Sequence, residues 1–176
     1  MTKKLLGLSL IMGLSATHGV FAASDNTITF QGEVTDQTCA VTVNGSHASP
    51  VVLLPTVSIA DFSSATTTGA TSFEVGISGC ATEEADRTIS TVFVGNQVTP
   101  SGNLGNTGTA GNVEIQILDA TGNVIDFTDR FTGNGDLTLT AGETSATAGY
   151  IAQYYTTGTP TAGDVTASLQ YSVSYL

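Results

Sequence analysis

Basic side chains are scarce in this sequence. Lysine and arginine together number 4, against 15 aspartate and glutamate residues, and the formal net charge is -11 at pH 7. Nucleic-acid binding needs clusters of lysine or arginine against the phosphates, so we expect no nucleic-acid partner. Only 11% of the residues are charged and 40% are hydrophobic. This balance predicts a chain that folds, since disordered acidic tails combine high charge with low hydrophobicity.

A hydrophobic run long enough to cross a bilayer is also missing. The apolar run Leu5 to Ala16 has 12 residues, whereas a membrane helix needs roughly 20. It follows Lys3 and Lys4 and leads to Val20-Phe21-Ala22, the pattern of a secretory signal peptide. We expect residues 1–22 to be removed after Ala22. The mature chain then has 154 residues (176 - 22), a charge of -13 (2 - 15), no lysine and no membrane span.

Cysteine is limited to Cys39 and Cys80. In an oxidising compartment, two cysteines in a small exported domain are most simply a disulfide. Closing a loop of this length removes roughly 4 kcal/mol of unfolded-chain entropy. The alternative is a metal or redox site, but there is no CxxC motif and His47 is the only histidine after cleavage. One histidine and two distant cysteines do not complete a zinc shell.

Residues for catalysis are equally scarce. A serine hydrolase needs a histidine base beside its serine, and His47 lies in a polar turn. The carboxylates of 83–86 lie beside Arg87, and those of 126–129 lie beside Arg130, which is typical of solvated surface pairs. We therefore predict no enzyme and no cofactor. Calcium binding by these acidic loops stays open, although they lack DxDxDG spacing.

The glycine- and asparagine-rich segment 100–112 raises the question of a phosphate-binding loop. It precedes a predicted strand rather than a helix, and it lacks the lysine of a P-loop. We therefore expect it to be a mobile connector.

Alternation of apolar and polar residues is the dominant pattern in the sequence. A period of two is typical of strands with one buried face, and asparagine-glycine turn signals separate the runs. The predicted strands are Ile28–Thr35, Ala40–Val43, Val51–Leu54, Ser72–Ser78, Ile89–Val94, Val113–Leu118, Val124–Phe127, Leu137–Thr140, Tyr150–Tyr155 and Val165–Leu176. The fold class is therefore predicted to be all-β, as a sandwich of short strands.

A separate strand is predicted ahead of the first cysteine. In residues 23–38, one face of the alternation carries Ile28, Phe30, Gly32 and Val34. A glycine weakens a strand unless another chain must approach it closely. This segment can pair within its own domain or with a neighbouring molecule.

Several motifs together resemble the structural pilins of the chaperone–usher pathway, and type 1 fimbrial major subunits in particular. They are TITFQGEVTDQTC (27–39), GISGC (76–80), VEIQILDATG (113–122), YIAQYYTTG (150–158) and QYSVSYL (170–176). Two positions match the family pattern: Gly163 is the fourteenth residue from the C-terminus, and Tyr175 is the penultimate one. The resemblance covers essentially the whole mature chain.

The resemblance implies an incomplete immunoglobulin-like β-sandwich that lacks its seventh strand. Its domains would be the signal peptide (1–22), an N-terminal donor-strand extension (23–38) and the pilin domain (39–176). A periplasmic chaperone would fill the open groove with a strand of its own. An outer-membrane usher would then exchange that strand for the extension of the next subunit, a form of strand addition at a sheet edge.

The resemblance also assigns the residues of this assembly. The donor face would be Ile28, Phe30, Gly32 and Val34, with Gly32 at the pocket where exchange begins. The chaperone would bind the C-terminal strand, with Gly163, Val165, Ala167, Leu169, Tyr171, Val173, Tyr175 and Leu176. The expected product is a head-to-tail polymer of identical or related subunits. It would be exported through the periplasm to the cell surface as a fimbrium that supports adhesion.

Two other interpretations of the same residues remain open. The chain is alternatively a self-contained secreted immunoglobulin-like binding module, with 28–34 as an ordinary first strand. Within the pilin family it is alternatively a minor or adaptor subunit. The mature length leaves no room for the second, receptor-binding domain of a tip adhesin, and the donor strand argues against a terminator. Of the two roles that are left, rod subunit and adaptor, we favour the major rod subunit.

Overall fold

The computed structural model describes Val34 and residues 39–175. The expected signal peptide lies outside the described residues, as do three residues of the expected donor face, Ile28, Phe30 and Gly32, and the terminal Leu176. Val34, the fourth residue of that face, is fully exposed.

The described part of the chain is almost entirely β-structure. Its elements are β1 (Ala40–Val43), a 3-10 helix (Ile59–Phe62), β2 (Thr67–Ser78), β3 (Arg87–Gly95), β4 (Leu104–Gly105), β5 (Val113–Leu118), β6 (Phe131–Thr132), β7 (Leu137–Leu139), β8 (Ser145–Thr156) and β9 (Leu169–Tyr175). All strand pairings are antiparallel. The predicted all-β class is confirmed.

Five strands form the first sheet, in the order β1-β2-β8-β5-β4. The second sheet is built on β3. Two short strands, β6 and β7, pair with opposite ends of β3 along one edge, and β9 pairs along the other edge from Ile89 to Gly95. Between residues 39 and 175, β3 is the only strand that pairs with β9. The outer edge of β9 is therefore open to a further strand in this part of the chain.

The two sheets pack face to face around aromatic and branched side chains. On β2, Phe73, Val75 and Ile77 are buried and the residues between them include exposed Glu74. The ring of Tyr150 on β8 lies 5.0 Å, centroid to centroid, from that of Phe93 on β3. This edge-on aromatic contact joins the sheets.

The disulfide predicted from the two cysteines is present. Cys39 and Cys80 are bonded, and they connect the start of β1 to the residues after β2. The bond ties the edge strand β1 to its neighbour.

Two predicted strands are wrong. The first, Val51–Leu54, is not a strand because it has no paired neighbour in the described chain. The second is Val124–Phe127. Here the amide of Ile125 donates to the carbonyl of Ile117 at 2.9 Å, whereas that of Phe127 donates to the carbonyl of Gly102 at 2.9 Å. These residues therefore bond to different neighbours and no continuous ladder forms.

The last strand begins later than predicted. The alternation starts at Val165, but β9 starts at Leu169, which pairs with Gly95, the last residue of β3. The strand therefore begins where its partner ends. Strands β4 and β6 were not predicted, since two residues each are too few to show a period.

Candidate strand-accepting groove

An apolar cavity of about 530 Å³ lies beside the start of β9 and the segment that leads into it. One wall is the segment 50–54 and the other is the segment 165–171. Its floor contains core side chains of both sheets, including Phe73, Ile115 and Phe93. We call this cavity the groove.

The wall that leads into β9 keeps the alternation predicted from the sequence. Its odd-numbered residues are half-buried and pack against the core, whereas its even-numbered residues from 166 to 172 are exposed. The half-buried set is Val165, Ala167, Leu169, Tyr171, Val173 and Tyr175. The exposed parts of Val165, Ala167, Leu169 and Tyr171 offer apolar surface to a further strand.

The opposite wall alternates in the same way without being a strand. Val52 and Leu54 are half-buried against the core, while Val51 and Leu53 are 73% and 81% exposed. The hydroxyl of Tyr154 on β8 donates to the carbonyl of Pro55 at 3.2 Å. Burial raises the pKa of Tyr154, so this hydroxyl remains a neutral donor at physiological pH. It anchors the end of the wall to the first sheet.

No charged side chain lines the groove among the described residues. Its polar groups are hydroxyls, such as those of Thr166 and Ser168, and backbone. A surface of this kind suits apolar side chains in alternation and backbone hydrogen bonds along β9.

A second cavity, of about 570 Å³, adjoins the groove at Tyr154 and Val165. It is lined by the segment 56–59, by Phe62 and by residues 160–165. This lining mixes apolar side chains with polar ones such as Ser58 and Asp164, so the second cavity is less apolar than the groove.

The glycine-rich segment 100–112 differs from the expected mobile connector. It contains β4, and its later part bonds to the groove wall. The amide of Thr107 donates to the carbonyl of Thr166 at 2.8 Å, and that of Ala110 donates to the carbonyl of Asp164 at 3.0 Å. This asparagine- and glycine-rich loop is therefore held by hydrogen bonds, because its turns place backbone amides against the segment 164–166.

The structure brings most of the expected C-terminal residues together. Val165, Ala167, Leu169 and Tyr171 line the groove, and Gly163 lines the adjoining cavity. Val173 and Tyr175 lie further along β9, half-buried. The opposite wall was not predicted as part of a site, although four consecutive apolar residues, VVLL at 51–54, were a signal that both faces of that segment matter.

The residues considered for other chemistries do not line the groove. The described residues contain no group of three histidine, cysteine, aspartate or glutamate side chains placed to hold a metal ion. Arg87 pairs with Glu83 at 3.2 Å, four residues away, as a surface pair. His47 is exposed. No helix in this part of the chain is long and apolar enough to cross a membrane.

Comparisons with known proteins agree with this geometry. Residues 28–176 match the Fimbrial protein family. The chain is 36% identical to the F17 fimbrial protein of Escherichia coli, over 96% of this chain and 98% of that protein. It is 32% identical to the major fimbrial subunit SMF-1 of Stenotrophomonas maltophilia, over 87% of this chain and 94% of that protein.

The fold has counterparts among solved structures. The P pilus rod subunit PapA matches with a TM-score of 0.58 and 16% identity, over 78% of this chain and 99% of that one. The predicted class, an incomplete immunoglobulin-like sandwich, is thereby confirmed. The chain belongs to the fimbrial protein family, as a structural pilin subunit.

Proposed function

We propose that this chain polymerises head-to-tail by donating residues 23–38 to the groove of the next copy. The observation that carries the proposal is the outer edge of β9, which pairs with no other strand in the described part of the chain and adjoins an apolar groove. An exposed strand edge pairs readily with another chain. A donated strand would gain backbone hydrogen bonds from β9 and bury its alternate side chains in the groove.

The donor face expected from the sequence suits this groove. Ile28, Phe30 and Val34 are apolar and fall on one face of the alternation, with Gly32 among them. The groove presents half-buried side chains at every second position from Val165 to Tyr171. Matching periods allow one extended segment to place its whole apolar face against the core.

The geometry of donation determines the form of the product. Each copy would carry one groove and one donor segment. Head-to-tail contacts of this kind do not form a closed dimer. They yield a filament unless the rotation between successive subunits closes a ring. We therefore propose a surface fimbrium with this chain as its repeating rod subunit.

The open groove also implies a partner before polymerisation. An exposed apolar groove beside an unpaired edge favours aggregation of the free subunit. We propose that a periplasmic chaperone binds the C-terminal strand, from Gly163 to Leu176, during export. An outer-membrane usher would then exchange the chaperone strand for the donor segment.

The test is expression of residues 1–176 in a bacterial periplasm, with and without residues 23–38. Unheated samples are run on a denaturing gel beside heated ones. We expect a ladder of multimers that resists detergent until it is heated and that disappears with the deletion. As a control, the segment is kept but Phe30 and Val34 are both changed to Asp, which should also remove the ladder. A stable monomer in every sample would instead indicate a self-contained binding module.

A further inference from the structure

Part of the groove wall lies beyond the second sheet. The partner strand β3 ends at Gly95, opposite Leu169, whereas the wall begins at Val165. One further backbone bond continues the pairing, from the amide of Asn96 to the carbonyl of Ser168 at 3.1 Å. Residues 165–167 are therefore not held by a sheet.

A loop at 106–111 holds this part of the wall. The backbone amide of Thr107 donates to the carbonyl of Thr166 in the wall, and that of Ala110 donates to the carbonyl of Asp164, the residue just before the wall. In return, the amide of Asp164 donates to the Thr109 hydroxyl at 2.9 Å. The bonds lie on both sides of Val165, so they fix the position of the first apolar side chain of the wall.

Asn106 connects the loop to the wall through its side chain. The amide oxygen accepts from the backbone of Thr166 at 2.8 Å and of Gly108 at 2.8 Å. The amide nitrogen donates to the carbonyl of Ala110 at 2.8 Å and of Asp164 at 3.4 Å. The side chain of Asn106 thus fixes the shape of the loop, and it bonds to Thr166 in the wall and to Asp164 just before it.

Two glycines allow the loop and the wall to approach this closely. A Cβ atom on Gly163 would lie 2.6 Å from the carbonyl carbon of Thr109 and 2.7 Å from its hydroxyl. A Cβ atom on Gly108 would lie 2.6 Å from the carbonyl carbon of Asp164. Both positions are too close for any side chain, and each clash includes backbone, which cannot rotate away.

We infer that Asn106, with the loop 106–111, is a positioning residue for strand acceptance. It holds Val165 and Ala167 in line with β9, so that the acceptor surface extends past the end of the second sheet. The inference rests on the proposed function, since it assumes that a donated strand occupies the groove. It assigns Gly163 a defined role, which is close packing of the wall against this loop.

The test uses polymers of the full chain and measures how fast detergent-resistant multimers dissociate at fixed temperature. Asn106→Ala removes four hydrogen bonds and should speed dissociation about tenfold, equivalent to about 1.4 kcal/mol. Asn106→Asp keeps both accepted bonds but turns a carboxylate oxygen toward the carbonyls of Ala110 and Asp164, so it should dissociate at least as fast as Asn106→Ala. The matched control is Asn134→Ala, which changes an exposed asparagine in another turn and should match wild type.

A combined variant separates positioning from a loss of general stability. Ile28→Ala and Val34→Ala each weaken one end of the donor face. Only one end of the donor strand can lie beside Val165. The effect of Asn106→Ala on the dissociation rate should therefore be non-additive with the substitution at that end and additive with the substitution at the other end. Additivity with both, or dissociation equal to that of the control, would overturn the inference.

The glycine contact supplies a second, independent variant. Gly163→Ala should speed dissociation at least as much as Asn106→Ala, whereas Gly149→Ala should not, because a Cβ atom there meets nothing within 4 Å. The near-ultraviolet circular dichroism of each variant shows whether the domain has folded. A Gly163→Ala variant that folds normally and dissociates at the wild-type rate would count against the positioning role. Absence of multimers from the wild type itself would overturn the donor-strand proposal and, with it, this inference.

Discussion

Two regions of the sandwich contain the same kinds of side chain at very different burial. Near the short strand β7, Ile89, Leu137 and Leu139 have no exposed surface. Along the groove wall and β9, Leu169, Tyr171 and Val173 alternate just as regularly but are only half-buried. The first set is covered by strands of its own chain, whereas the second lies beside an edge with no paired strand between residues 39 and 175. A regular apolar pattern therefore shows which face of a strand is meant to be buried, and not whether its cover belongs to the same molecule.

The closed region is further joined by a polar contact between the sheets. The carboxylate of Asp136 accepts from the hydroxyl of Tyr150 on β8 and from the amide of Thr91 on β3, the latter at 2.8 Å. Burial, with the neighbouring carboxylate, raises the pKa of Tyr150, so its hydroxyl keeps its proton. The described residues that line the groove include no carboxylate that could make a corresponding contact.

The largest effect should come from truncating a leucine in each region. Leu137→Ala removes a fully buried side chain and should lower the free energy of unfolding by about 2–5 kcal/mol. Leu169→Ala should cost less than about 2 kcal/mol in a subunit without residues 23–38, because its side chain is still partly hydrated. Urea unfolding of both variants measures the difference.

Adding a donor strand should narrow that difference. With a synthetic peptide of residues 23–38 bound, Leu169 is expected to become buried and its truncation to cost more, while the cost of Leu137→Ala stays the same. Equal costs in the absence of peptide would show that the groove is already closed.

A smaller effect should follow from breaking the polar contact of the closed region. Tyr150→Phe leaves the Asp136 carboxylate short of one donor and should destabilise the subunit by about 1–3 kcal/mol. The shift of the urea midpoint measures this loss.

The matched control for that change is Tyr155→Phe. Tyr155 lies five positions after Tyr150 on the same strand, β8, and is only half-buried. We expect its substitution to leave the urea midpoint close to that of wild type. A Tyr150→Phe variant as stable as this control would show that the polar contact contributes nothing.

The smallest effect concerns a turn outside both regions. Asp119 accepts hydrogen bonds from the hydroxyl and the amide of Thr121, at 2.7 and 2.8 Å, and these bonds lower its pKa. A carboxyl whose pKa is lower in the folded state stabilises the fold above its unfolded pKa, and this contribution is lost as the pH falls through the folded value. Asp119→Asn should therefore flatten the acid side of the stability profile slightly. Identical slopes for variant and wild type in acid would contradict this.

The predicted strand bounds are most accurate where a strand pairs with one neighbouring strand along its whole length. Ala40–Val43 and Val113–Leu118 have the predicted bounds, because alternation and pairing cover the same residues. Val124–Phe127 alternates as well, with Ile125 and Phe127 buried, but its backbone bonds go to different segments. Periodicity reports which side chains are buried and carries no information on which backbone groups pair.

The candidate site was predicted in part for the same reason. The alternation from Val165 to Tyr175 identified one wall of the groove, since apolar residues indicate the face toward the core and polar residues the face toward solvent. The opposite wall and the loop around Asn106 were not predicted, because their contacts join residues that are far apart in the chain, such as Asn106 and Thr166.

The sequence by itself determined the all-β class, the buried face of each strand and the pair of cysteines available for a disulfide, because these depend on residue type and local spacing. Only the tertiary structure decided where β9 begins, that no strand within residues 39–175 pairs with its outer edge, and that a glycine-rich loop supports the groove wall. Those features depend on where a partner strand ends and on how closely two backbones can approach.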